Sequence, residues 1–382
     1  MPNTFTGLIP TIYEALDTIS RELVGFIPAV LKDATAERAA VGEVITWPVL
    51  NPGPAQDITP AATGPAGSDM APDAPQVTIS KAKSVVFYLT GEESKGLRNG
   101  SLEQAVVQNS FAQAMRTLVN MIEADLSLTA KVGASRAYGT AGTAPFGTAD
   151  DLSDFANVYK VLTDNGAPTG DLHLVLNSAA SLNIRGKQKG LLNASSAGSV
   201  DLLRRGILGQ IMNLSLGESA GIVQHVKGGG SAYVTSGVVN PKSTDVALVT
   251  GSGTVLAGDV VSFAADAVNK YVVGVGVSAP GTIKLNKPGA LVTIPTGNAL
   301  TIGANYLPNS AFDRNAIVLA TRAPAEPEGG DSAADVFIIQ DPVSGLAFEV
   351  RKYLQYHRVA YEVGIAWGTG AAKPDHIVTL LG

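Results

Sequence analysis

The sequence predicts an α+β fold, and three features along the chain point to it. A long segment from Ser101 to Lys131 has the three-and-four apolar spacing of an amphipathic helix. Short runs of Val, Ile and Thr, separated by turn residues, fill residues 231–303 and 334–382. The residues between the long helix and residue 231 contain both helical and strand patterns. Runs of strands and helices that occupy largely different stretches are typical of the α+β class.

Composition narrows the classes of function. The chain has 382 residues, no cysteine, and a net charge of −6 from 27 basic and 33 acidic side chains. The lack of cysteine excludes disulfides, cysteine-based zinc sites and thiol catalysis. Only 16% of residues are charged, against about 25% in an ordinary soluble domain. Such surfaces suit proteins that pack against copies of themselves, or a globular protein with a neutral surface, and the acidic balance argues against tight, sequence-independent nucleic-acid binding.

The start of the chain indicates where the protein is made. Residues Met1–Thr6 lack the basic start and long apolar core of a signal peptide. No run reaches the roughly 18 apolar residues that a bilayer crossing requires. The sequence therefore predicts a cytosolic protein that is not inserted in a membrane.

An amphipathic helix is expected near the N-terminus, over residues 9–27. Its apolar positions include Leu16, Ile19 and Leu23, and Pro28 ends or kinks it. This helix either packs on its own domain or lies on a neighbouring subunit. We therefore take these three residues as candidate assembly contacts.

A proline-rich segment then separates two strand patterns. Strands are expected at Val44–Trp47 and Val77–Lys81, with a third pattern at Val85–Leu89. Between the first two, residues 50–76 have no apolar periodicity but six prolines. At about 3.3 Å per residue, a hairpin arm of this length would project about 40 Å; the alternative is a disordered surface loop. The candidate contacts at its tip are Pro60, Gly64, Pro65 and Asp69.

Shorter elements follow the long helix, which would measure about 45 Å. We expect Asp150 or Asp151 to cap a helix that runs through Leu162, and the carboxylates of this cluster to complement its dipole rather than bind calcium. Leu172–Leu176 is expected to be a buried strand, and Asn177 to cap a helix that ends near Arg185. In the β-rich stretch the expected strands are Val246–Val249, Val260–Phe263, Tyr271–Val277, Ile283–Leu285 and Leu291–Ile294. They predict a small antiparallel sheet or barrel.

No constellation of catalytic residues is present in the sequence. It lacks the phosphate-binding, dinucleotide-binding and nucleophile-elbow motifs, and its four histidines are isolated from one another. We therefore expect no enzyme activity, no cofactor and no metal. A basic group consists of Arg185, Lys187, Lys189, Arg204 and Arg205. It faces either a nucleic-acid lumen or, as we favour, solvent and intersubunit salt bridges.

Five short segments occur in order along nearly the whole chain: Gly42–Pro48, Leu89–Glu93, Ala311–Ile317, Asp341–Ala347 and Tyr361–Pro374. They look like a strand entering a long loop, the lead to a long helix, a Phe-x-Arg-x-Ala-Ile strand, the turn after it, and a closing strand. Together they resemble the Hong Kong 97-type (HK97-like) capsid fold of tailed-bacteriophage major capsid (coat) proteins. Lys373 and Asp375 stand where the family often has Arg and Glu.

The resemblance implies a division of the chain. Its expected parts are an N-terminal arm (1–36), peripheral-domain strands with an extended loop (37–92, tip about 50–76), a spine helix of the peripheral domain (93–132), an axial domain (133–230), an inserted β-rich domain (231–303), and a return through axial and peripheral-domain strands (304–382). The insertion is similar to the β-barrel domain in coat proteins like that of phage P-twenty-two.

The resemblance also implies a function and partners. Such a subunit forms the hexamers and pentamers of an icosahedral phage head that encloses double-stranded DNA without sequence-specific binding. A scaffolding protein, a portal protein and possible decoration proteins would be its partners, and it would reside in the virion capsid after assembly in the host bacterial cytoplasm. The alternatives are an encapsulin-like nanocompartment shell and a β-rich binding protein.

Overall fold

The computed structural model describes residues 24–46, 58, 76–99, 103–188, 209–278, 280–340 and 345–382. The helices within these ranges are α1 (Gly91–Asn99), α2 (Glu103–Gly133), α3 (Ser153–Asp164) and α4 (Ser178–Lys187). Two short 3-10 turns, Arg314–Ala316 and Pro374–His376, interrupt the strand-rich C-terminal part. The predicted mixed α+β class is confirmed.

Strands make up most of the remaining described chain. The first ten are β1 (Leu31–Ala39), β2 (Val44–Thr46), β3 (Gln76–Thr78), β4 (Lys81–Thr90), β5 (Arg136–Tyr138), β6 (Leu172–Leu176), β7 (Gln210–Ile211), β8 (Leu214–Glu218), β9 (Val234–Thr235) and β10 (Asp245–Val249). The next ten are β11 (Val260–Phe263), β12 (Asp266–Val275), β13 (Thr282–Leu285), β14 (Leu300–Ile302), β15 (Pro308–Asp313), β16 (Ile317–Pro324), β17 (Asp335–Gln340), β18 (Ala347–Gln355), β19 (Arg358–Ala371) and β20 (Ile377–Leu381).

These strands form two sheets and one ribbon. The smaller sheet has the order β1-β16-β19-β18-β17, and β4 pairs with the other side of β19. The larger sheet has the order β7-β8-β6-β15-β20-β5-β12-β13-β10-β9, with β11 pairing to both β12 and β14. Strands β2 and β3 pair only with each other, as an antiparallel ribbon.

The long helix α2 supplies the centre of the main hydrophobic core. Its stripe of fully buried side chains consists of Phe111, Met115, Leu118, Ile122 and Leu126. Because these residues recur every three or four positions, they lie on one face of the helix. That face packs in one cluster with side chains from both sheets, among them Trp367, Phe312 and Val272. The predicted long helix is confirmed, with a length of about 46 Å at 1.5 Å per residue.

Two further clusters lie beside this core. One joins α3 and α4 to β6, β15 and β20, with Phe155, Leu174 and Val378 among its members. The other lies inside the β-rich segment and includes Tyr233 and Phe263. This segment is continuous with the larger sheet through the pairing of β5 with β12. A closed barrel and the domain limits given above stay predictions.

Two local predictions are wrong. Helix α3 has Leu152 at its N-cap rather than Asp150 or Asp151, because Asp150 has φ +56° and belongs to the preceding turn. The Asp151 carboxylate instead accepts the backbone N–H of Ser153 at 2.9 Å. Leu291–Ile294 is not a strand: only Ile294 bridges, to Val239, because Pro288 and Pro295 lack ladder donors on both sides. The capping by Asn177, which accepts the N–H of Ala180, is confirmed.

Helix α1, which begins directly after β4, was not predicted from the sequence. Thr90 and Glu93 form a reciprocal capping box at its start, since the Glu93 carboxylate accepts the Thr90 N–H at 2.8 Å and Thr90 Oγ1 accepts the Glu93 N–H. Ser101, where the sequence predicts that the long helix begins, lies outside the described residues.

The buried stripe of α2 predicts a stability effect. Phe111 is fully buried and meets the rings of Phe87 and Tyr361 at 4.9 and 5.5 Å. Replacing Phe111 with Ala should lower the free energy of unfolding by about 3–5 kcal/mol, because it removes the contacts and leaves a cavity. Chemical denaturation would measure the change. Val268→Ala is the control, since Val268 is 89% exposed; equal effects of the two substitutions would contradict the central role of α2.

Candidate assembly sites

Most of the contact residues predicted from sequence lie outside the described residues. These are Leu16, Ile19, Leu23, Pro60, Gly64, Pro65, Asp69 and Lys189, together with Arg204 and Arg205 of the basic group. The structure instead describes where the N-terminal segment, the proline-rich segment and the β-rich segment join the rest of the molecule.

Arg185 and Lys187 are described, at the exposed end of α4. The Arg185 guanidinium forms an ion pair with Glu218 on β8 at 2.9 Å. Glu218 also accepts a hydrogen bond from Ser181 Oγ at 2.9 Å. Positive charge in the last turn of a helix complements the helix dipole. This geometry favours the interpretation as a solvated helix end, and an intersubunit role of these residues stays a prediction.

The N-terminal segment enters the described part of the chain at a buried carboxylate. Glu123 of α2 is 2% exposed. Its Oε1 accepts the backbone N–H groups of Gly25 and Phe26, each at 2.7 Å, and its Oε2 accepts that of Ile27 at 3.1 Å. Because a turn begins here, these N–H groups have no partner within their own turn. Glu123 therefore caps, from another element, the turn that leads into β1.

Close packing surrounds the same junction. The rings of Phe26 and Phe312 are stacked at 6.0 Å, and Phe26 is fully buried. A Cβ on Gly25 would lie 2.7 Å from a Val175 methyl, and one on Gly221 would lie 2.9 Å from Glu123 Cγ. Only a residue without a Cβ fits such approaches. Residues 25–27 are thus held in place by α2 and the larger sheet.

The proline-rich segment begins and ends at the β2–β3 ribbon. Thr46 pairs with Gln76, so the chain leaves and returns at one place. The ribbon is joined to the smaller sheet where Trp367 O on β19 accepts the Ser80 N–H at 3.0 Å. At the same end of the ribbon, Glu43 O accepts the Ile79 N–H at 2.9 Å.

Close packing between the β2–β3 ribbon and β19, which we call the root of the proline-rich segment, explains the glycine in the motif Ala366-Trp367-Gly368. A Cβ on Gly368 would overlap the carbonyl oxygen of Thr78, and one on Gly370 would lie 2.7 Å from a Val77 methyl. The two glycines therefore allow β3 to cross β19 closely. On the opposite face, the Trp367 indole N–H donates to Asp125 of α2 at 2.8 Å. Asp125 also forms an ion pair with Lys81 at 2.7 Å, which links the start of β4 to the helix.

The β-rich segment is anchored by a third carboxylate, which is buried. Asp259 is fully buried, and its Oδ1 lies 2.8 Å from His225 Nε2. It also accepts the backbone N–H groups of Gly228 at 3.1 Å and Leu256 at 2.7 Å. His225 and Tyr306 pair through their backbones, so the entering and leaving strands of the segment are held together.

A side chain of the β-rich segment caps the C-terminal end of α2. Asn286 Nδ2 donates to the carbonyl oxygens of Val132 and Ala134, at 2.6 and 2.7 Å. The last carbonyl groups of a helix lack intrahelical partners, and side-chain donors satisfy them. Lys131 lies beside Asp259, and burial lowers the pKa of its ammonium group while the carboxylate partly offsets that effect.

Sequence reasoning missed Glu123, Asp125 and Asp259. A usable signal existed for Glu123, since it follows Ile122 directly at the edge of the apolar stripe. A carboxylate at such a position is rarely buried without hydrogen-bond partners. The backbone donors that it binds come from residues 25–27, and nothing in the sequence pattern connects them to residue 123.

Two further features concern the described residues alone. Within them, no helix has the length and apolarity that a membrane crossing requires. The same ranges contain no grouping of three or more histidine, aspartate or glutamate side chains arranged as metal ligands.

The crossing of β3 over β19 predicts an effect of Gly368→Ala. The new methyl group would collide with Thr78 O, and relieving that overlap should cost about 1–3 kcal/mol of unfolding free energy. Amide hydrogen exchange should increase at the ribbon backbone bonds of Ile79 and Ser80. Gly229→Ala is the matched control, because nothing lies within 4 Å of its Cβ position; unchanged exchange in Gly368→Ala would contradict this account of the root.

The environment of Glu123 predicts a pH dependence. Burial raises the pKa of its carboxyl above the ordinary 4.5, and the hydrogen bonds from Phe26, Ser219, Ile27 and Gly25 only partly offset this. The folded chain thus binds the proton more tightly, so the stabilisation is full below pH 4.5 and is lost as the pH rises through the raised pKa.

Denaturation of wild type and Glu123→Gln over a pH series would measure this effect. The free energy of unfolding of wild type should fall relative to the variant as the pH rises. A difference between the two that does not change with pH would contradict the assignment.

Similarity to known proteins is found among solved structures. No protein-family model matches the chain, and no curated protein matches it. A structure of Mycobacterium phage Che8 is similar, with 14% identity over 89% of this chain and 84% of that chain and a TM-score of 0.47. The capsid structure of cyanophage P-SCSP1u has 10% identity over 94% and 88%, with a TM-score of 0.49. A virus-like particle from Pyrococcus furiosus has 10% identity over 97% and 98%, with a TM-score of 0.41. The solved structures that this chain resembles in overall layout thus include a phage capsid and a virus-like particle.

Proposed function

We propose that the chain is a shell-building subunit, the major capsid protein of a tailed bacteriophage. Copies of it would assemble into hexamers and pentamers of an icosahedral head. A scaffolding protein would guide assembly, a portal protein would occupy one vertex, and double-stranded DNA would fill the interior. The proposed location is the virion capsid, after assembly in the host bacterial cytoplasm.

One observation carries this proposal. The residues that flank the proline-rich segment are held to the rest of the molecule by three sets of contacts. The Thr46–Gln76 pair, the glycines of β19 and the Trp367–Asp125 hydrogen bond hold that root to α2 and the smaller sheet. Residues 50–76 contain six prolines and no apolar periodicity, so they lack the side chains for a core of their own. A rigid root beneath such a segment suits contact with another molecule.

Exposed apolar side chains at one end of the smaller sheet support the same role. Val86 and Tyr88 on β4 are each 56% exposed, and Leu354 and Tyr356 at the β18–β19 turn are 58% and 91% exposed. Strand β4 pairs with β19 on one side alone among the described strands. Unpaired strand edges and clustered apolar groups favour association.

The attachment of three segments to one body explains how individually weak contacts between copies would suffice for assembly. The N-terminal, proline-rich and β-rich segments are each fastened by a carboxylate of, or beside, α2, namely Glu123, Asp125 and Asp259. Each copy would therefore present several contact segments in a fixed relation. Contacts that are individually weak become strong when one rigid body makes several at once.

Electron microscopy tests the proposed function. The chain would be expressed alone and with its neighbouring open reading frames, and purified particles would be negatively stained. Closed, uniform icosahedral shells are the expected result, and a stable monomer under both conditions would contradict it. Shells that retain enzyme cargo instead of requiring a scaffold would favour the nanocompartment alternative.

Deleting residues 55–70 tests the role of the proline-rich segment. The deletion leaves the ribbon intact, so the subunit should stay soluble with a melting temperature close to that of wild type. It should form no shells, because the contacts that this segment makes with neighbours are lost. Normal shells from the deletion variant would contradict the role of the segment, and circular dichroism would check that the variant is folded.

A further inference from the structure

An open groove of about 1020 Å³ lies at the C-terminal end of α2. Its walls come from α2, from β13 with the residues after it, and from the end of β19 with the residues that follow. The carboxylate anchors at Glu123, Asp125 and Asp259 are not part of its lining. The proposed function assigns no role to this surface.

The floor of the groove exposes apolar side chains of α2 and β12. Leu128 is 51% exposed and Val275 is 56% exposed, and both line the groove. Leu128 comes two positions after the buried Leu126, so it points away from the core-facing stripe of the helix. Val132, one helical turn further along, lines the groove from the same face of α2. Exposed apolar groups that share one concave site are typical of a binding surface.

The rim of the groove is cationic, although the whole chain has a net charge of −6. Its lysines are Lys284, Lys287 and Lys373. Asp375 is the single carboxylate in the lining. Lys284 lies 3.8 Å from Asp245, but their side chains are 61% and 60% exposed, and an ion pair so exposed is weak. The charge of the rim therefore favours a partner that carries acidic groups beside its apolar ones.

The pairing of β13 limits how such a partner can bind. This strand pairs with β10 on one edge and with β12 on the other. Because both edges are occupied, a further strand cannot add to it. A partner must contact this wall of the groove through side chains, which favours an amphipathic helix over an extended strand.

The size of the groove agrees with a helix. Two turns of an α-helix that is about 11 Å across fill about 1000 Å³. The groove has about this volume. Two turns carry apolar side chains at i, i+3, i+4 and i+7 on one face, which is sufficient to cover the apolar floor.

We propose that the groove between α2, β13 and the end of β19 binds an acidic amphipathic helix of a second protein. The apolar floor would contact one face of that helix, and the three lysines of the rim would pair with its carboxylates. The site needs only the folded subunit. The inference therefore goes beyond the proposed function and can be tested on the unassembled chain.

A designed peptide tests the chemistry of the groove. The probe is a fluorescein-labelled peptide of about 15 residues, with Leu on one helical face and Glu and Ala on the other. Fluorescence anisotropy should show saturable binding to the folded chain. A peptide of the same composition without an apolar face, and one with Lys in place of Glu, should each bind about tenfold more weakly or worse. Equal binding of the three peptides would contradict the proposal.

Charge reversal at the rim tests the role of the lysines. Lys284→Glu with Lys373→Glu should weaken binding of the acidic peptide about tenfold or more, because like charges then face each other. The same variant should bind the Lys peptide more tightly than wild type does. Lys83→Glu with Lys227→Glu is the matched control, since both lysines are exposed and neither lines the groove. Unchanged melting temperatures would show that all variants fold.

Polar substitution at the floor tests the apolar contact. Leu128→Gln with Val275→Thr should weaken binding of the acidic peptide about tenfold, because less apolar surface is buried on binding. Val268→Thr is the control, since Val268 is 89% exposed and does not line the groove. Unchanged affinity in the floor variant would contradict the assigned contact.

Photo-cross-linking identifies the natural partner. Val275→p-benzoylphenylalanine would be introduced in the chain expressed with its neighbouring open reading frames, and cross-linked peptides would be sequenced by mass spectrometry. The expected product joins Val275 to an acidic segment of another protein that has apolar residues at i, i+3 and i+4. Val268→p-benzoylphenylalanine is the control for non-specific cross-linking.

The outcomes separate this inference from the proposed function. Cross-links to any part of this chain, residues 50–76 included, to a basic segment, or at no more than the control level would overturn the second protein as the occupant. Absence of saturable peptide binding, or equal loss in the rim variant and its control, would overturn the groove assignment, whether or not the chain forms shells. A chain that binds the peptide but forms no shells would overturn the proposed function alone.

Discussion

The burial of one face of α2 is the constraint on which the rest of the structure depends. Phe111, Leu118 and Leu126 lie on that face and are fully buried, and side chains from both sheets pack in the same cluster. Burying a large apolar side chain contributes about 1.5–3 kcal/mol, so this stripe dominates the contacts between the two sheets. The helix thereby fixes the positions of both sheets. It also fixes the places at which the N-terminal, proline-rich and β-rich segments join them.

Carboxylates on or beside α2 fix the orientation of the chain at the places where these three segments join the body. Apolar packing is non-directional, whereas the carboxylates of Glu123, Asp125 and Asp259 accept hydrogen bonds from specific donors. A buried carboxylate that lost its donors would be strongly destabilising, so each anchor holds its segment in one arrangement. The proposed shell would require this property, because every copy would have to present its contact segments at the same angles.

The sequence predicted what depends on local periodicity and missed what depends on distant pairing. The spacing of Phe111, Met115 and Leu118 was sufficient for α2, and the Val260–Phe263 strand agrees with the structure in both bounds. The N-cap of α3 was wrong because the positive φ of Asp150 is not visible in a capping pattern. The anchor at Glu123 joins residues 98 positions apart, and the anchor at Asp259 joins residues 34 positions apart. Neither leaves a local signal in the sequence.

The most direct test of the central claim, that a preformed body carries segments whose contacts are made by other copies, is hydrogen–deuterium exchange on isolated and assembled protein. The account predicts that the α2 amides are strongly protected in both states. Residues 50–76 should gain protection, and only on assembly. Equal protection of residues 50–76 in both states, or α2 amides that exchange freely before assembly, would contradict it.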